Sequence, residues 1–193
     1  MSRHICVILH GSKVDPKLTC WAEQLEWIIQ PQAPAIEFVT RKYGYVTEWR
    51  TAFGGYRDRW LEEQLIYFNH IKSYCGPTTK VSVIAHSFGP WIIGKLLPKF
   101  EFHNLIFMMG AMDENYDWNE VDQQFSRILN YWSPNDTKVK KSPYGRIGYV
   151  GHQFPHERVK STKVRWTHDE FQEDSNLYLL SKEWTSPEGL LNR

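Results

Sequence analysis

An α/β fold, with a mostly parallel central sheet of about six strands between two layers of helices, is predicted by three observations. Short apolar runs alternate with amphipathic segments along the chain. Several runs are apolar throughout, the mark of parallel strands buried on both faces. The polar residues best suited to chemistry stand directly after such runs, and in this architecture binding residues gather at the carboxyl ends of the strands.

The elements follow in order. Ile5-Cys6-Val7-Ile8-Leu9 is a continuous apolar strand ending in His10-Gly11-Ser12. Leu18, Trp21, Ala22, Leu25, Ile28 and Ile29 recur at helical spacing before Pro31 and Pro34. Ile36 to Thr40 is the second strand. Trp60, Leu61, Leu65, Phe68 and Ile71 mark a longer amphipathic helix closed by Gly76-Pro77, and Val81 to Ala85 is the third strand. An almost wholly apolar helix, carrying Trp91, Ile92, Ile93, Leu96 and Leu97, runs up to Pro98, which cannot continue it. Leu105 to Met109 and Arg127 to Trp132 are further strands, with a short polar helix around Asp117 to Phe125 between them. Val164 to Thr167 is expected as the last strand and Leu177 to Trp184 as the closing helix. No internal repeat, low-complexity tract or flexible linker interrupts this order, so residues 1–193 are expected to form a single domain.

Composition excludes several function classes. With 23 Lys plus Arg against 22 Asp plus Glu, the formal charge of +1 creates no field favouring nucleic acid or an anionic membrane. The three cysteines, Cys6, Cys20 and Cys75, have no metal-ligand spacing and read as free thiols of a reducing compartment, so a cytoplasmic location is expected. The run Ile5 to Leu9 is too short for a signal-peptide core or a membrane span. Phosphate-loop and dinucleotide fingerprints are absent, as is H-E-x-x-H, so neither a nucleotide cofactor nor a metal is implied.

The informative segment is Ala85-His86-Ser87-Phe88-Gly89, where an apolar strand gives way to an apolar helix and one serine stands between small residues. This is the construction of a nucleophile elbow: the chain turns so sharply that Ser87 takes strained backbone angles and presents its Oγ. Ala85 and Gly89 supply the small side chains that the near contact of strand and helix requires, although Ala85 departs from the first glycine of G-x-S-x-G. A serine hydroxyl is a weak nucleophile until a histidine takes its proton and a carboxylate fixes that imidazole. Asp136, just past the strand ending at Trp132, and His168, just past the strand expected to end at Thr167, are the matching acid and base.

In this order of serine, acid and histidine, and in its alternating elements from His10-Gly11 to Trp184, the chain resembles the α/β-hydrolase family. The resemblance implies a small, capless serine esterase or lipase-like hydrolase, with Ser87 as nucleophile, Asp136 as acid and His168 as base. It further implies an oxyanion hole made by the backbone N–H groups of Phe88 and of the loop after the first strand, Ser12 first and Gly11 in reserve. The substrate implied is a small-molecule or lipid-borne acyl ester or thioester, with amides less favoured. An inserted cap cannot fit, because little more than Gly110 to Ser126 separates consecutive strands.

Alternatives stand beside these assignments. Asp113 also follows a strand and could be the acid; His152 and His156 lie in a loop and compete with His168. His86 and His10 read as packed structural histidines. The aromatic, glycine-bearing segment Arg41 to Tyr56 could line an acyl pocket or seal the core, and Lys138, Lys140 and Lys141 form either a solvated basic loop or an anion-recognition cluster. A binding or signalling protein on a hydrolase scaffold is the second functional class, and a plain α/β domain the third.

Overall fold

The computed structural model describes residues 3–11, 20–42 and 54–192. Six strands, β1 (His4–Leu9), β2 (Ile36–Arg41), β3 (Lys80–His86), β4 (Asn104–Met108), β5 (Arg127–Trp132) and β6 (Val159–Lys163), form one sheet. Their order is β2-β1-β3-β4-β5-β6, and each neighbouring pair runs parallel. Among the described residues, five α-helices accompany them: α1 (Trp21–Ile29), α2 (Gly54–Cys75), α3 (Gly89–Leu96), α4 (Ile147–Val150) and α5 (Asp174–Thr185). Short 3-10 turns join several elements, among them Trp118–Gln124, bent at Val121 where the polar helix was expected.

Parallel pairing explains the uninterrupted apolar strands. Successive side chains point to opposite faces, and here both faces are covered. Ile5, Val7 and Leu9 of β1 join Val83, Ala85, Leu105 and Phe107 in a core completed by Trp60 and Phe68 of α2 and by Ile92 and Ile93 of α3. Cys6 and Ile8 join Ile84, Ile106, Met108 and Tyr131 on the other face, under Trp21, Leu25 and Ile29 of α1 and Leu177, Leu180 and Trp184 of α5. Along α2, Trp60, Gln64 and Phe68 are buried while Arg59, Glu62 and Glu63 are exposed, the one-sided pattern of a surface helix. Gly76 then takes φ 101°, a left-handed conformation that glycine adopts freely, and ends the helix before Pro77.

One expected element is displaced. The last strand is Val159–Lys163, and Val164–Thr167 runs on as coil. Val164 N–H still donates to Trp132 O at 2.9 Å, but the chain leaves the sheet there. Val164 and Trp166 owe their apolar alternation to packing against the α1/α5 core rather than to strand pairing. β6 is an edge strand whose residues are all half-buried or exposed, which is why it carries no apolar run.

The topology itself selects a place for chemistry. From β1 the chain passes to β2 on one side and then to β3 on the other, so the direction of winding reverses between β1 and β3. At such a switch point the loops leaving the two carboxyl ends diverge and open a crevice. His10-Gly11 leaves β1 there, and Ser87 leaves β3.

Candidate active site

Ser87 adopts φ 55°, one of two non-glycine residues with positive φ among those described, the other being Met109 at 46°. A left-handed angle at a non-glycine residue costs free energy and persists only where the surroundings enforce it. They do so here: Ser87 N–H donates to Met108 O at 3.1 Å, and Ser87 O accepts from Ala111 N–H at 2.6 Å. The turn then feeds directly into α3. A Cβ added to Gly89 would lie 3.0 Å from Ala85 Cβ and 3.4 Å from Leu9 Cβ, which accounts for the small residues on both sides of the serine. Gly11 passes equally close, since its added Cβ would stand 3.0 Å from Ser87 Cβ and 3.4 Å from Ser87 Oγ.

Asp136 is fully buried beyond β5. The loop that carries it is tied down at several points: Ser133 N–H donates to Gly148 O at 2.9 Å, and Asp136 N–H donates to Ser133 O at 3.1 Å. Asp136 Oδ1 accepts the backbone N–H groups of Lys138 (3.1 Å) and Val139 (2.9 Å). Its other oxygen, Oδ2, is 2.8 Å from His168 Nδ1. The opposite nitrogen, His168 Nε2, is 3.1 Å from Ser87 Oγ. Asp136 and Ser87, 32 and 81 positions from His168 in the sequence, are thus joined through it in one hydrogen-bonded chain.

His168 stands five residues beyond the end of β6, not directly after a strand. Its coil is held by side chains instead. Asn135 Nδ2 donates to Arg165 O at 2.7 Å, Lys138 Nζ pairs with Asp169 Oδ2 at 2.6 Å, and Thr167 N–H donates to Glu170 Oε2 at 2.7 Å. Asn135 and the helix α4 that anchors Ser133 were not singled out in the sequence, and Lys138 was singled out only as part of a basic cluster, not as a tie to Asp169; the Asp136 to Val139 spacing of a side-chain-to-backbone turn is the one local signal for this scaffold.

The competing residues are occupied elsewhere. Asp113 is exposed, and its Oδ1 accepts Asn115 N–H at 2.9 Å. His156 Nε2 meets Asp122 Oδ1 at 3.0 Å, and His152 packs edge-on against Trp118 with its ring centroid 5.5 Å away. His10 is buried, donates from Nδ1 to the Gly11 carbonyl, and is held by burial down to about 4. His86 is buried between aromatic rings, and burial holds its pKa well below the ordinary imidazole range. Lys140 lies over the Tyr149 ring at 5.4 Å, so the basic cluster is partly engaged in surface contacts. Ser12 lies outside the described residues, as does most of the Arg41 to Tyr56 segment. Among the described residues, no group of three or more His, Cys, Asp or Glu is arranged to hold a metal ion, and no helix is long and apolar enough to cross a membrane.

Among solved structures the chain is similar to an esterase from Pyrococcus furiosus, with a TM-score of 0.62 at 11% identity over 98% of this chain and 82% of that one. The chain has the α/β-hydrolase fold. A candidate hydrolase of the alpha/beta superfamily from Xanthomonas campestris pv. campestris matches with a TM-score of 0.58 at 14% identity, covering 94% of this chain and 99% of that one. A lipase/esterase from Lactobacillus plantarum matches with 0.59 at 10% identity, over 98% and 87%. No family model matches the sequence, and no curated relative does. At such identities the likeness resides in the α/β-hydrolase fold alone.

Proposed function

We propose that this protein is a serine hydrolase that cleaves carboxylic esters or thioesters through an acyl-enzyme on Ser87, with His168 as base and Asp136 as acid. The observation that carries the reading is the unbroken relay from the Asp136 carboxylate through His168 to Ser87 Oγ, with links of 2.8 and 3.1 Å. With Nδ1–H donated to Asp136, Nε2 is the basic nitrogen and faces the hydroxyl it must deprotonate.

Ser87 Oγ attacks the acyl carbon as Nε2 takes its proton. The imidazolium, stabilised by the Asp136 carboxylate, then protonates the departing alcohol or thiol, leaving the acyl group on Oγ. Water enters, gives a proton to Nε2 and attacks the same carbon; collapse returns the proton to Oγ and releases the carboxylic acid. Such positioned proton transfer contributes about 10²–10⁴-fold. The oxyanion is assigned to Phe88 N–H, at the start of α3, and to a backbone N–H of the loop after β1, Ser12 first and Gly11 in reserve. Each donor is worth ~3 kcal/mol in comparable sites. Esters and thioesters are favoured because their leaving groups need the least protonation, and the esterase and lipase/esterase names of the similar structures agree with that choice. The free thiols Cys6, Cys20 and Cys75 fit a reducing, cytoplasmic setting.

The test is hydrolysis of p-nitrophenyl esters together with labelling by a fluorophosphonate probe mapped by mass spectrometry. Label on Ser87, and loss of turnover in Ser87→Ala with unchanged thermal unfolding, are expected. An inert serine and undiminished turnover in that variant would replace this reading with a binding protein on the same scaffold.

A further inference from the structure

His86 precedes the nucleophile yet takes no part in the relay. It is 4% exposed and lies among rings: Phe171 at 4.3 Å between centroids, His168 at 4.6 Å and Trp21 at 5.6 Å. A Cβ added to Gly11 would stand 3.4 Å from His86 Nδ1, so that edge of the ring is closed by the loop after β1. Neither ring nitrogen makes a hydrogen bond of normal geometry within the protein, while the His168 backbone is the acceptor that faces it. A buried imidazole with unsatisfied nitrogens is costly, and a phenylalanine would fill this aromatic slot without that cost. The polarity therefore calls for an account beyond packing.

The displaced last strand supplies one. A general base must be held rigidly, yet the coil Val164 to Asp169 has left the sheet before it reaches His168. Asn135 and Lys138 hold this coil from the side of the acid loop, both from exposed positions. His86 supports it from within the core, on a strand fixed by pairing with β1 and β4.

We propose that His86 is a positioning residue for the base: its ring backs the His168 imidazole, and its N–H edge engages the His168 main chain, so that Nε2 stays directed at Ser87 Oγ. Because the imidazole remains uncharged, it does so without placing a second positive charge beside the imidazolium formed during turnover. This rests on the assignment of Ser87 and His168 made above.

The experiment compares two variants on a p-nitrophenyl ester. His86→Phe keeps the ring and removes the polar edge; His86→Gln keeps a side-chain amide N–H and removes the ring. His86→Phe should fold and bind substrate with KM unchanged but lose kcat by about ten- to a hundredfold, the scale of a small misplacement of a reacting group. His86→Gln should recover a substantial part of that loss. If His86→Phe does not fold, His86→Met, matched in length to Gln, takes its place. Wild-type kcat in the apolar variant overturns the proposal, and so does a Gln variant no faster than the apolar one. Ser87→Ala run in parallel separates the two levels: an active Ser87→Ala removes the hydrolase reading itself, whereas an inactive Ser87→Ala beside a normal His86→Phe removes only the role of His86.

Discussion

Asp136 Oδ2 sits 2.8 Å from His168 Nδ1, whereas Asp113, the other aspartate that follows a strand, turns Oδ1 to the backbone of Asn115. The contrast separates two acids that the sequence left in competition. On the proposed mechanism Asp136→Asn keeps the shape of the site but offers the imidazole an uncharged partner that no longer selects the right tautomer. Turnover should fall by roughly 10³–10⁴ with little change in KM. Asp113→Asn, an exposed change, should stay within about twofold of wild type. Saturation kinetics on one ester decide the matter, and a slower Asp113→Asn would remove Asp136 from its role.

Two buried histidines, His10 and His86, and the half-buried His4 make the fold sensitive to acid. Burial holds His4 and His10 down to about 4 and His86 well below its ordinary 6.5. Each is neutral in the native state where the unfolded chain takes up a proton. Their contribution to stability is therefore complete above pH 6.5 and declines as pH falls toward about 4, at about 1.4 kcal/mol per pH unit for each proton taken up on unfolding. Urea midpoints should drop between neutral pH and pH 5 with an unchanged m-value. His4→Gln should shallow that slope, because the amide can keep a hydrogen bond to Ser82 Oγ, now 2.8 Å from His4 Nε2, without titrating. A midpoint flat across the range would contradict the burial of these rings.

How far the sequence revealed this fold depended on how deeply each segment is buried. β1, β3, β4 and β5 were legible because both faces are covered and most of their buried positions are apolar, as in Ile5 to Leu9, with Ser82, Asn104 and Asn130 as buried polar exceptions. β6 was not, because an edge strand reading Val-Lys-Ser-Thr-Lys needs no apolar run, and the neighbouring Val164 and Trp166 mimicked one through packing in coil. Ser87 was legible from Ala85 and Gly89, whose smallness is enforced by a near contact of backbones. His168 was found through its place in the order of residues even though the strand assigned to it was wrong. The scaffold of Asn135, Lys138 and α4 was hidden because it consists of hydrogen bonds between loops, for which no periodic signal exists.

Lys138 separates a latch from an anion site. Its ammonium pairs with Asp169 at 2.6 Å, but both side chains are about 60% exposed. Exposed pairs of this kind contribute about 0–1 kcal/mol and are screened by salt. Lys138→Ala should therefore lower stability by less than about 1 kcal/mol and reduce kcat only slightly, since Asn135 still holds Arg165 O. KM for a neutral ester and for one bearing a carboxylate should change alike. A selective rise in KM for the anionic ester would instead assign the lysine to substrate recognition.

Two glycines beside the site should differ sharply in their tolerance of a methyl group. At Gly89 an added Cβ would meet Ala85 Cβ at 3.0 Å, a contact relieved only by shifting the strand or helix by a few tenths of an ångström. Overpacking of this kind costs about 1–3 kcal/mol, partly offset by the ~1 kcal/mol that alanine gains over glycine in a helix. At Gly148 the methyl would stand 2.2 Å from Gly110 N and 2.3 Å from Met109 C, both backbone atoms that cannot rotate away. Gly148 N–H also donates to Gly110 O at 2.8 Å, and its carbonyl accepts Ser133 N–H, so relief of the clash must break the attachment of the acid loop. Gly148→Ala should cost on the order of 3 kcal/mol or more and lower Tm by about 6–12 °C, against a few degrees for Gly89→Ala. Its surviving folded fraction should also turn over more slowly, because Ser133 O receives the Asp136 N–H. The reverse ranking in thermal unfolding would show that α4 does not clamp the acid loop to the ends of β4 and β5.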